Sequence, residues 1–216
     1  MSHNHTHGGS CNDESHSHDH DHSHDHSSEA TGPQDNLFIH IDRSNVVALN
    51  TTGEGKEVIK PWHERLDEGV YLESDADDQM IIRIPFTGSV KLRSILLKTG
   101  PGDQTPEKVA LFANADAMDF SDIADQTPTQ ELTVPQGRDV GEYQLKAAKF
   151  PNISSVTLFI PASQGAETTR IYYVGFMGSW SERKKDPVIT VYESQANLAD
   201  HEKIQGMEGN FSANGM

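Results

Sequence analysis

Between Tyr71 and Phe112 the apolar residues arrive in short bursts separated by turns. Ser74-Asp75-Ala76-Asp77-Asp78 is an acidic turn, and Met80–Phe86, Leu92–Leu97 and Lys108–Phe112 follow it. Met80, Ile82, Ile84 and Phe86 fall on one face of a strand, because successive strand side chains point to opposite sides. The rhythm continues through Val46–Leu49, Gly69–Glu73, Gln130–Val134, Glu142–Leu145, Ser155–Ile160 and Thr169–Phe176, with Pro135 and Pro161 closing two of these runs. Val156, Leu158 and Ile160 again share a face. Short β runs divided by Gly, Pro and Asp predict an all-β sandwich or barrel. No segment carries a sustained 3.6-residue period, which argues against a helical bundle. Residues 100–106 and 114–129 read as longer loops, and Lys60–Arg65 as a loop with one helical turn.

The ends of the chain differ from the middle. Residues 1–33 hold nine histidines among Ser, Asp and Gly and almost nothing apolar. Such a stretch buries too little surface to offset its ordering entropy, about 1–2 kcal/mol per residue for the backbone. It is predicted to be a disordered His-rich tail. Order is expected from about Asn36, where Leu37–Ile41 is the first apolar run. Beyond Ser181 the one strand-like island is Val188–Tyr192, and Glu193–Met216 is polar. The expected organisation is a tail at 1–33, a β domain at 34–180 and an extended C-terminal arm at 181–216.

Charge and cysteine usage narrow the classes of function. The formal net charge is −16. Residues 1–42 contain eight acidic residues and no Lys or Arg, so half of that charge sits on a fifth of the chain. Binding to nucleic acid needs clustered Lys and Arg, and the one basic run, Arg183-Lys184-Lys185, reads as a solvated linker. Cys11 is the single cysteine, which excludes an internal disulfide and a C-x-x-C redox site. There is no apolar signal-peptide core and no membrane-spanning run. A monomer in the cytoplasm and nucleus is the expectation.

Tyr71–Leu97, Val109–Asn114, Lys149-Phe150-Pro151-Asn152 and Thr168–Gly178 together resemble the PITH domain, the proteasome-interacting module at the C-terminus of a thioredoxin-like protein. The resemblance runs over about residues 37–180, with its blocks in family order. Val191-Tyr192-Glu193 and Asp200-His201 also look like the standalone members. The resemblance implies a jelly-roll β-sandwich of galactose-binding-like type. It further implies an adaptor without enzyme activity that docks to the 19S regulatory particle of the 26S proteasome. The thioredoxin-like relative carries a redox domain ahead of this module. Here the histidine tail stands in that place, so a redox role does not carry over.

Several residue groups invite chemistry. His16, His18, His20, His22, His24 and His26 alternate with Ser and Asp, so neighbouring imidazoles of an extended chain share a side and suit Zn, Ni or Cu. A metal-binding or buffering protein working through this tail is therefore the first alternative, although no cofactor is required by the body. Asp75, Asp77 and Asp78 suggest calcium, but the glycine and distal glutamate of an EF-hand are missing and a polar hairpin turn is preferred. His63-Glu64, His40 with Asp42, and Asp200-His201 are conceivable acid–base pairs. No hydrolase elbow, zinc-protease helix or phosphate-cradling loop accompanies them, so no catalytic residue is assigned. For partner binding the sequence offers Trp62, which reads either as an aromatic anchor or as a plug at one end of the sandwich, and Tyr192, Glu193, Asp200 and His201 on the arm. Trp180 is expected to plug the core. A small-ligand or glycan-binding jelly roll is the second alternative.

Overall fold

The computed structural model describes residues 1–2 and 32–183. The histidine tail and the arm, with Tyr192, Glu193, Asp200 and His201, lie outside the described residues. Eight strands make up the body: β1 (Val47–Leu49), β2 (Leu72–Glu73), β3 (Met80–Thr99), β4 (Lys108–Ala113), β5 (Gln130–Thr133), β6 (Gly141–Gln144), β7 (Ile153–Ile160) and β8 (Arg170–Ser181). One short helix, α1 (Phe120–Asp125), and several single 3₁₀ turns join them. No helix among the described residues is long and apolar enough to cross a membrane.

β3 organises the sandwich. Its first half pairs with β1 and, from Met80 to Pro85 and again at Val90, with β7, and β7 leads on to β4 and β5. Its second half, from Ser89, pairs with β8 and β6, and β8 leads on to β2. Every pairing is antiparallel. One strand therefore belongs to both sheets and turns the corner between them near Thr87-Gly88, as strands at the corners of sandwiches do. The sequence reads as two runs with a break at residues 87–91, whereas the chain stays extended through that stretch for 20 residues in all.

Gly88 is required at this corner. A Cβ there would run into the indole of Trp180 and the carbonyl of Ser181. A few residues later the pairing of β3 with β8 slips between Leu92 and Ser94. A bulge shifts the phase of a strand by one, and the inward residues change from Met80, Ile82, Ile84, Phe86, Val90 and Leu92 to Ile95 and Leu97. These residues meet Val156, Leu158, Ile160, Val174 and Phe176 from the opposing strands in the core. Fully burying such a side chain contributes about 1.5–3 kcal/mol.

Both sheets also carry a covering on their outer faces. Ile81, Ala110 and Phe112 on the first sheet are covered by Met118 and Ile123 from the 114–125 connection. This segment, expected to be irregular, includes α1. Asp119 caps that helix through Oδ1, which accepts from the Ser121 and Asp122 amides at 2.8 and 2.9 Å, while Asp122 accepts from the Asp119 amide at 3.0 Å. On the second sheet, Leu96, Tyr173 and Met177 are covered by Trp62 and Val140. Double-sided cover explains why Ile95-Leu96-Leu97 is apolar without alternation.

Candidate interaction surface

The connection from Lys60 to Tyr71 is built around a buried cation. Lys60 is 5% exposed, and its ammonium donates to the Asp67 carbonyl at 3.0 Å, to Asp67 Oδ2 at 2.8 Å and to the Val70 carbonyl at 2.7 Å. An ammonium has three donors, and all three are engaged. The segment is thus an Ω-loop whose two ends are tied at one nitrogen. Pro61 leads into a 3₁₀ turn over Trp62–Glu64. Trp62 lies half-buried on the outer face of the second sheet. The Arg65 guanidinium sits 4.3 Å from the centroid of its ring and donates to the Trp62 carbonyl at 2.9 Å. Glu68 binds the buried Lys98 at 2.9 Å, and Lys98 also donates to the Arg138 carbonyl.

With these groups turned inward, the loop presents apolar side chains outward. Leu66 is 53% exposed, Val70 45% and Tyr71 37%. Three of the seven large exposed hydrophobics among the described residues therefore fall within six consecutive positions. The Tyr71 ring is steadied by Arg170, 4.2 Å from its centroid, and by the edge of Tyr172 at 5.9 Å. Arg170 in turn pairs with Glu73.

The loop's surroundings are anionic. The hydrogen bond from Lys60, with help from the Gly69 amide, holds the Asp67 carboxyl below the usual range. Burial alone would raise Glu73, but hydrogen bonds from Arg170, Thr168 and Gln104 outweigh it and hold Glu73 low. Asp75, Asp77 and Asp78 follow directly in the chain. Asp77 Oδ1 accepts from Asn50 Nδ2 at 2.7 Å and from the Gln79 amide at 3.0 Å, and Asp78 Oδ2 accepts from the Ser163 amide at 2.8 Å. Two of the three carboxylates thus shape a polar turn, but not the expected hairpin: β2 and β3 on either side of it both pair with β8, which lies between them. No cluster of three metal-ligating side chains occurs among the described residues.

The other residues singled out by sequence are dispersed. His63 Nε2 lies 3.3 Å from Glu64 Oε1 on the open surface. Asp42 accepts from Asn45 at 2.7 Å. His40 instead stacks on Trp180, with ring centroids 4.5 Å apart and planes 7° from parallel, and burial lowers its pKa. Trp180 corrects the expectation of a core plug: it is 40% exposed at the β3 corner, because its position pairs with Val90 beyond the last inward residue of β8. Val47, Leu49, Ile81 and Met118 line an open apolar groove of about 450 Å³ on the first sheet, rimmed by the Arg83–Asp116 ion pair at 2.6 Å. The sequence reading missed Leu66, Val70 and Tyr71 as surface residues and Lys60 as their anchor. Val70-Tyr71 read as the start of a strand, and the available signal was Leu66, an apolar residue among Arg65, Asp67 and Glu68 that fits no strand or helix period.

Comparison with known proteins adds the family. The chain is 38% identical to PITH domain-containing protein 1 of Xenopus laevis, over 95% of this chain and 96% of that protein. It is 35% identical to the protein of the same name in Homo sapiens, over 93% of this chain and 94% of that one. Among solved structures, the paired CBM32 domains of ZmpB from Clostridium perfringens match 72% of this chain and 38% of theirs, with a TM-score of 0.50 at 11% identity. That likeness speaks for the fold alone, a jelly-roll β-sandwich of galactose-binding-like type. The PITH domain family model matches residues 27–196, and with these relatives it establishes that the chain belongs to the PITH domain family.

Proposed function

We propose that this protein is a non-enzymatic adaptor of the cytoplasm and nucleus that docks to the 19S regulatory particle of the 26S proteasome. The observation that carries the reading is the Lys60–Tyr71 loop, tied at the Lys60 ammonium, with Leu66, Val70 and Tyr71 turned to solvent. A pre-ordered loop loses little conformational entropy on binding, which favours association with another protein. Membership of the PITH domain family supports the proteasome as the partner. The spread of Lys60, Arg83, Lys98 and Arg170 into separate ion pairs, with no convergence on one cleft among the described residues, supports a role in binding over one in catalysis.

The test is affinity purification of the full-length protein, and of a form lacking residues 1–33, from reducing lysate. Regulatory-particle subunits are expected with both. Their absence from both overturns the reading. Retention of glycans that is lost on Trp180→Ala would favour the small-ligand alternative instead.

A further inference from the structure

Leu66, Val70 and Tyr71 stand among carboxylates. Glu64, Asp67 and Glu68 lie on the same loop, and Glu73, Asp75, Asp77 and Asp78 follow it. Of the nearby cations, Lys60, Lys98 and Arg170 are paired with Asp67, Glu68 and Glu73, Arg65 lies on Trp62, and exposed Arg138 stands beside Glu68 and Tyr172. Glu64, Asp75, Asp77 and Asp78 remain without a Lys or Arg partner among the described contacts, so the balance of charge is negative. A nucleic acid or an acidic peptide would be repelled, and a purely apolar partner would leave Glu64 and the acidic turn without counter-charge.

Resting on the proteasome-docking reading above, we infer that the Lys60–Tyr71 loop is the docking element and that its occupant is a protein segment carrying an apolar side chain flanked by Lys and Arg. Leu66 and Val70 give the apolar contact, and Glu64 with the acidic turn steers the basic flanks. Residues 66–71 are all exposed, so the contact needs no opening of the sandwich. The ties at Lys60 and Lys98 keep the loop in one shape before the partner arrives.

The experiment measures binding of the full-length chain to purified 26S proteasome. Leu66→Ser with Val70→Ser is expected to weaken binding by at least ~10-fold, the scale of losing hot-spot side chains, with no change in melting temperature. Val47→Ser, an exposed site on the other sheet, is expected to bind as wild type. Glu64→Lys is expected to weaken binding and to flatten its decline with salt. A photo-crosslinker at Leu66 is expected to capture a Lys- and Arg-rich peptide of the particle. Wild-type binding that the Leu66/Val70 pair leaves intact, or capture of an acidic peptide, overturns this inference while sparing the wider reading. A wild-type chain that fails to bind the particle at all overturns both.

Discussion

Lys60 and Asp67 form an ion pair in which one partner is inside and the other outside: the ammonium is buried, while the carboxylate 2.8 Å away is nearly half exposed. The asymmetry decides what mutation costs. In Lys60→Met, Asp67 regains water, and the main loss is of hydrogen bonds to the Asp67 and Val70 carbonyls. We expect about 1–3 kcal/mol of lost stability, below the cost of breaking a fully buried pair. Denaturant unfolding should show a lower midpoint with an unchanged slope. A slope that changes would mean the loop helps hold the sandwich shut.

Gly88→Ala tests the corner. The new methyl meets the Trp180 indole and the Ser181 carbonyl, and overpacking of this kind costs about 1–3 kcal/mol. The same change made in a Trp180→Ala background should cost clearly less, since much of the obstruction is then gone. Equal costs in both backgrounds would assign the glycine requirement to the backbone alone. Tryptophan fluorescence reports the displacement directly.

Acid should unfold the body through a small set of carboxylates. Asp67 is held low by Lys60, and Asp116 by Arg83 and Ser155. Glu73 is raised by burial but lowered more by Arg170 and Thr168, and Asp119 is held low by Ser121 and the Asp122 amide. A group with a depressed folded pKa binds its proton more weakly when folded. Its stabilising effect is therefore complete above the unfolded value, near ~4, and is lost as pH falls through the folded value. We expect a melting temperature that changes little on their account between neutrality and about pH 5 and drops below about pH 4. Glu73→Gln should make that acid decline shallower. A decline of unchanged steepness would rule Glu73 out as a contributor.

The histidines of residues 1–30 are expected to bind nickel or zinc without moving the melting temperature of the body. Isothermal titration of the full chain and of the form lacking the tail separates the two contributions. Metal uptake that persists without the tail would place the ligands in the sandwich.

How far the sequence foretells the fold depends on where each signal arises. The inward set Met80, Ile82, Ile84 and Phe86 was readable because alternation is local, and so was Val156, Leu158 and Ile160. The continuation of β3 through Thr87–Lys91 was not, because Gly88 answers to Trp180, far along the chain. The phase change at Arg93 was hidden too: Leu96, turned outward, is buried beside Trp62 and Tyr173 and looks no different from inward Ile95 and Leu97. At the candidate surface, Trp62 stood out by residue type. Lys60 did not, since a lysine becomes a loop anchor only when closure of the chain brings its acceptors to it.

Sharing one strand between two sheets has a consequence for biosynthesis. β3 is complete at Thr99, yet β8, its longest partner, ends only at Ser181. Roughly 80 further residues must be made first, which takes about 4–16 s at ~5–20 residues per second. During that interval an emerging nascent chain carries β3 with the edge that β8 will cover still open, able to pair with the same segment on a neighbouring ribosome. The long wait for β8 makes β3 the segment of this body most open to mispairing during synthesis.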